Sequence, residues 1–228
     1  MGGHVRSRRR RLLLDLLVGG LLLLVTLPIT LVLAVGSVLT FRAWPIFTQQ
    51  RLGRCGRPFL FAKIRSLPPS APKYANKYEI RRLSKTRFGR FIRSTHLDEL
   101  PQLFLVLSGR MSLVGPRPEM EAVAATFDPE FVVRRLQLRP GCTGLWQISV
   151  KADHLIGECP EYDLFYAEHC CIRLDLWILW RTAVQLLPGV EPIALEDIPR
   201  WVLPRPNDAP LLPVEVPQLP TVAPEAAE

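Results

Sequence analysis

The chain has 228 residues, 48% of them hydrophobic, and a formal net charge of +8, enough for one globular domain with additional length at its ends. Its five cysteines are odd in number and form no CxxC spacing, and its four histidines are scattered, which argues against a disulfide framework, a zinc site or a histidine metal cluster. Residues 191–228 hold seven acids and two bases, a balance of −5 against +8 overall, so residues 1–190 carry +13; a body that basic points to an anionic partner, whether nucleic acid, an anionic lipid surface or a phosphorylated small molecule.

Residues 1–11 form a basic N-terminal segment ending in "RSRRRR", and residues 12–41 are apolar, with no charge from Leu16 to Phe41. As a helix that uncharged run is about 39 Å long, enough to cross a hydrocarbon core of about 30 Å. It is too long for an ordinary signal-peptide core. A spanning helix and a re-entrant hairpin both stay open. Pro28 sits near the middle, where it removes a ladder hydrogen bond and favours a kink. Both flanks are basic, Arg6–Arg11 before and Arg42, Arg51, Arg54 and Arg57 after, and a hairpin satisfies the tendency of both to stay on one side.

Residues 42–190 read as the main domain. "PIFTQQRLGRCGRPFLFAKIRS" (45–66) predicts a β-hairpin with Gly53 and Gly56 near its turn and "FLFAKI" as its second strand. "PPSAP" (68–72) is a loop. "YANKYEIRRLSKTRFGRFIR" predicts one basic helix or two short pieces, with a face suited to anionic headgroups. From Arg81 to Arg93 come six bases and no acid, then the adjacent acids Asp98 and Glu99. Leu97, Leu100, Phe104 and Leu107 have helical spacing, with Thr95 as N-cap and Asp98 as its capping-box partner. On that basis alone the acidic pair is explained by the macrodipole of a helix start. "SLVGPRPE" predicts a rigid loop holding Arg117 between two prolines, and "RPGCTGLWQIS" (139–149) a turn and a short aromatic run. Residues 162–187 predict one amphipathic helix, with Trp177 and Trp180 suited either to an interface or to covering the core. Residues 191–228 are Pro-rich and acidic and read as an extended or disordered tail.

Taken together, "FTQQRLGRCGRPF" (47–59), "KIRSL" (63–67), "TRFGRFIRSTHLDELPQL" (86–103), "GRMSLVGPRPE" (109–119), "RPGCTGLWQIS" and "YDLFYAEHCCIRLDLWILWRT" (162–182) resemble the monotopic phosphoglycosyl transferases. These are the bacterial sugar transferases that start glycan assembly on polyprenyl phosphate, and the similarity is to their minimal form, over about residues 12–187. The resemblance implies a mainly α fold with a small β-hairpin. It also implies monotopic attachment through a re-entrant helix–break–helix at Pro28, and interfacial amphipathic helices. The implied reaction moves a sugar 1-phosphate from a nucleotide diphosphate sugar, a UDP-sugar by preference, to undecaprenyl phosphate. A covalent aspartyl-phosphosugar forms on the way and UMP leaves, at the cytoplasmic face of the bacterial inner membrane. Such a step initiates exopolysaccharide, capsule, O-antigen or glycoprotein glycans. On the matching positions Asp98 is the nucleophile and Glu99 the Mg²⁺ ligand. Lys63, Arg65, Arg93, Arg117 and Arg139 are the candidate phosphate-binding cations, since phosphoryl transfer needs charge neutralised and arginine offers a planar fork of donors. Nearby cations are also expected to lower the pKa of Asp98.

The implied partners are the nucleotide sugar, polyprenyl phosphate and membrane lipids, with room for a homo-oligomer and for later glycan-pathway enzymes, and no nucleic acid. The chain departs from the family at Leu27, where members often carry serine and where Thr26 is the substitute partner for freed backbone. It also departs at Cys142, at Ser149–Val150–Lys151 and along "HLIGECPEYD". Those changes leave the sugar open. Two rival readings are a membrane-tethered basic module that binds lipid or nucleic acid without catalysis, and a phosphohydrolase working through an aspartyl phosphate.

Overall fold

The computed structural model describes residues 2–74, 77–83 and 85–205. Helix α1 runs from Gly2 to Phe41 with Pro28 inside it, and its stretch Arg9–Phe41 is the one helix among the described residues long and apolar enough to cross a membrane. Leu17, Leu21, Leu24, Val32, Val35 and Leu39 are exposed along it. Thr30, Leu33 and Ser37, spaced as one helical face, are buried. The secondary structure stays helical through Pro28, where the resemblance implies a break. A proline removes a single ladder bond and need not end a helix. The Thr26 hydroxyl goes to the Leu22 carbonyl at 2.7 Å, not to the Leu24 carbonyl that Pro28 leaves without its donor.

Both halves of α1 are tied to the rest of the protein. In the first half the buried Asp15 accepts from the Ser112 hydroxyl and the Leu113 N–H, each at 2.9 Å, and Arg11 pairs with Asp175 at 2.7 Å. In the second half Ser37 Oγ donates to the Arg65 carbonyl at 2.9 Å. A Cβ on Gly36 would lie 2.9 Å from the Phe88 ring, so only glycine lets that ring lie so close against the helix.

The hairpin forms as its turn residues require. Strand β1 (Ile46–Leu52) pairs antiparallel with β2 (Pro58–Ile64), Phe47 opposite Lys63. The basic stretch makes two short helices, α2 (Lys77–Arg82) and α3 (Arg87–Ser94). Thr86 caps α3 by accepting from the Gly89 N–H at 3.0 Å, the arrangement a helix start favours. After it come α4 (Gln102–Leu107), β3 (Ser112–Val114), α5 (Glu121–Ala124), α6 (Pro129–Leu136) and β4 (Gly141–Thr143). Strands β3 and β4 pair in parallel, Ser112 with Gly141 and Val114 with Thr143.

The last predicted helix is two, α7 (Glu161–His169) and α8 (Ile172–Val184). The chain is extended at Cys171 between them, with no proline or glycine to signal the break. Trp177 is buried whereas Trp180 is exposed, so of the two aromatics only Trp180 is available to an interface. The stretch after 190 begins as part of the core rather than as a tail. Ile193, Ile198 and Val202 are buried, and Val150 N–H donates to the Ile193 carbonyl at 2.9 Å. Residues 206–228, the remainder of the expected Pro-rich tail, lie outside the described residues.

The main core joins β3, α4, α7 and α8 around Met111, Leu113, Leu145, Tyr166, Leu174 and Ile178. A second, smaller cluster of Leu33, Ile64 and Ile92, with Phe88, Leu97 and Leu100 against it, joins α1, β2 and α3 to the residues that flank Asp98 and Glu99 in sequence. Ile64 and Ile92 are fully buried, worth about 1.5–3 kcal/mol each. This cluster fixes the distance between the hairpin and the acidic pair.

Candidate active site

The acidic pair does not open a helix in the expected way. Thr95 closes α3 instead, with its hydroxyl donating to the Phe91 carbonyl at 2.8 Å. His96 takes the left-handed conformation, φ 55°, and turns the chain so that no capping box joins Thr95 to Asp98. A single 3₁₀ turn, Leu97–Glu99, then presents both carboxylates ahead of Pro101, which opens α4.

Asp98 is buried and accepts from Ser66 Oγ at 3.2 Å, while Arg93 donates to that same hydroxyl at 3.2 Å. Glu99 is held differently. Arg117 grips both its oxygens, Nη2 to Oε1 at 2.8 Å and Nη1 to Oε2 at 3.3 Å, the forked geometry that makes Arg–carboxylate pairs strong. Burial acts to raise the Glu99 carboxyl, but the Arg117 charge prevails and holds it down at about 2. Asp98 is pushed the other way. Burial first, and then the adjoining Glu99 charge, raise it above the ordinary aspartate value against Lys63, Arg93 and the Ser66 hydroxyl. The surrounding cations do act to lower it, as expected, but the net direction is upward, because desolvation and the Glu99 charge disfavour the charged form more than those cations favour it. Burial, with help from Arg93, likewise brings the Lys63 ammonium down to about 8 against the attraction of Asp98.

The structure thus brings Lys63, Arg93, Asp98, Glu99 and Arg117 together. Arg65 stands to one side, its Nε donating to the Trp44 carbonyl at 2.8 Å, and it lines a neighbouring pocket with Lys63, Ser66, Arg51, Lys73 and Phe47. Arg139 does not join the acidic pair. Its ion-pair partner is Asp15 of α1, at 3.5 Å. Burial first, and then the Glu99 and Asp15 charges, push the Cys142 thiol up, the direction that disfavours a thiolate.

Sequence reasoning assigned no role to three residues that hold this site. Ser66 links Asp98 to Arg93. Arg51 donates to the Pro118 carbonyl at 2.8 Å and pairs with Glu119 at 3.2 Å. The buried Arg135 pairs with the buried Asp163 at 2.7 Å and donates to the Arg117 carbonyl. Two arginines therefore clamp the Pro-Arg-Pro loop by its backbone and leave the Arg117 side chain free for Glu99. The available signal was an arginine on the apolar face of α6, between Phe131 and Leu138.

The family model described as bacterial sugar transferase matches residues 6–189. The chain belongs to that family. Similar proteins include the UDP-glucose:undecaprenyl-phosphate glucose-1-phosphate transferase of Klebsiella pneumoniae, 39% identical over 181 residues, covering 74% of this chain and 38% of that protein. The UDP-galactose-lipid carrier transferase of Erwinia amylovora is 34% identical over 186 residues, 73% of this chain and 38% of that one. The undecaprenyl-phosphate galactose phosphotransferase of Salmonella typhimurium is 36% identical over 162 residues, 62% and 33%. The chain therefore spans under two-fifths of the length of these relatives.

Proposed function

We propose that the protein transfers a sugar 1-phosphate from a nucleotide diphosphate sugar, a UDP-sugar by preference, to undecaprenyl phosphate. The observation that carries this reading is the juxtaposition at Asp98: a buried carboxylate beside Glu99, with Lys63, Arg93 and Arg117 around the pair. A carboxylate oxygen of Asp98 attacks the sugar-bearing phosphorus. A P–O bond forms, the bond to the bridging oxygen breaks, and UMP leaves with the electron pair. An oxygen of the lipid phosphate then attacks the same phosphorus and returns the Asp98 carboxylate. Lys63 and Arg93 bind phosphate oxygens and offset the meeting of two anions.

Mg²⁺ suits the donor set. Each Glu99 oxygen keeps a lone pair after accepting from Arg117, Asp98 adjoins it in the same turn, and a hard cation commonly takes one or two carboxylates plus substrate phosphates. When bound, such an ion neutralises charge on the transferring and leaving phosphates. Glu99 is its proposed protein ligand.

Attachment is proposed to be monotopic, with α1 entering and leaving from the cytoplasmic face of the inner membrane and bending at Pro28. The ties at Asp15 and at Ser37 support this. Both residues bond to the same domain, as entry and exit on one face requires. Nucleotide sugars are cytoplasmic, which fixes the face. The product would begin a lipid-linked polysaccharide.

The test offers purified protein, Mg²⁺ and undecaprenyl phosphate a panel of nucleotide diphosphate sugars and measures UMP. Lipid-dependent UMP release with one sugar, lost in Asp98→Asn, is the expected result. Wild-type turnover by Asp98→Asn refutes the assignment, and release of free sugar phosphate without lipid would favour the hydrolase.

A further inference from the structure

An open cleft of ≈ 780 Å³ lies between the hairpin turn and the loop that joins α4 to β3. Arg54, Arg57, Arg110 and Arg139 line it, together with Phe59 and Leu60, and none of its lining residues is acidic. Arg57 and Arg110 are exposed, as is Leu60 at 52%. Arg54 is braced by the Gln137 carbonyl at 3.1 Å. Asp15, which pairs with Arg139, offsets one of the four charges.

The place of the cleft beside α1 indicates what it meets. Arg139 reaches Asp15, and Leu107, two residues before Gly109 of the cleft wall, packs on Gly19 and Gly20. Residues 15–20 are where α1 changes from charged, Arg9–Arg11 and Asp15, to the uncharged run that begins at Leu16. In a membrane that transition marks the headgroup level, since charges remain in the interface and apolar side chains enter the hydrocarbon. Arginine forks at that depth match phosphate oxygens, and Phe59 with the exposed Leu60 gives the cleft an apolar wall against which lipid chains can lie.

We propose that this cleft is a second phosphate site, apart from Asp98, that holds the phosphate of an anionic membrane lipid at the base of α1. The proposal requires that α1 meet a membrane; it does not require the transfer reaction.

The test uses the full chain in a neutral detergent, titrated calorimetrically with short-chain phosphatidylglycerol and, separately, with inorganic phosphate. Phosphatidylglycerol should bind, and inorganic phosphate at least about tenfold more weakly, for want of chains to meet the apolar wall. The double exchange Arg57→Gln/Arg110→Gln should weaken the lipid about tenfold or more, as loss of charge-assisted hydrogen bonds does. Leu60→Ser should weaken the lipid and leave inorganic phosphate unchanged. Asp98→Asn should bind the lipid like wild type, so failure of the cleft and failure of the reaction are read separately. Equal lipid binding by the double variant, no lipid binding by wild type, or inorganic phosphate binding as tightly as the lipid would each overturn the proposal.

Discussion

Lys63 gives the site a pH dependence whose direction follows from burial. Its ammonium titrates at about 8 in place of the ordinary 10.5, because burial disfavours the charge more than Asp98 favours it. If the charged form binds the donor phosphates, the competent fraction falls about tenfold for each pH unit above that value. The expected profile of kcat/KM, measured by UMP release from pH 6.5 to 10, is therefore flat to near 8 and then falls with unit slope. Lys63→Arg should keep much of the activity and remove the alkaline limb, since a guanidinium stays charged throughout. Unfolding through this group cannot imitate the limb. Between about 8 and 10.5 the unfolded chain binds more protons at Lys63 than the folded one, so its contribution to stability rises with pH across that window. A wild-type profile flat through pH 9.5, or an unchanged alkaline limb in Lys63→Arg, would refute the assignment of Lys63 as a phosphate-binding cation.

Other outcomes are expected from the same geometry. Asp163→Asn leaves Arg135 buried without its charge partner, so unfolding experiments should show a loss of about 3–5 kcal/mol; because Arg135 also holds the Arg117 carbonyl, turnover should fall in the fraction that remains folded. A Cβ at residue 89 would lie 2.3 Å from the Ser66 carbonyl oxygen, so Gly89→Ala should displace Ser66 and lower kcat at least about tenfold, whereas Thr86→Ala, a lost helix cap, should cost only about 1 kcal/mol of stability. If Asp98 is the attacking group, as proposed, it must be ionised, and its carboxyl is raised above the ordinary 3.8, so activity should be lost on acidification at a pH above that value, measurable in the same assay.

The elements set by local chemistry were legible in the sequence. Turn glycines and aromatic strands defined the hairpin, and the apolar run defined α1. The acidic pair, Lys63, Arg93 and Arg117 were legible through ordered motifs. What escaped depends on contacts distant in sequence. The break between α7 and α8 has no proline or glycine, and which of Trp177 and Trp180 in α8 is buried depends on what that helix packs against. The parallel pair β3–β4 joins segments of three residues each, too short for periodicity to register. Arg139 lies inside a family motif, yet tertiary packing turns it toward Asp15 on α1, and no local pattern encodes that direction. The Thr95 capping box matched by spacing alone and failed because His96 adopts a positive φ.

The hydrogen bond from Ser37 to the Arg65 carbonyl joins the long apolar helix α1 to the residue that precedes Ser66, the hydroxyl partner of Asp98. On the proposed reading, the insertion depth of α1 and the position of Asp98 are therefore mechanically linked variables. For an α1 held in a bilayer, as proposed, a shift of its second half would load the segment after β2 that carries Ser66, so the lipid matrix would act as part of the frame against which Asp98 is aligned.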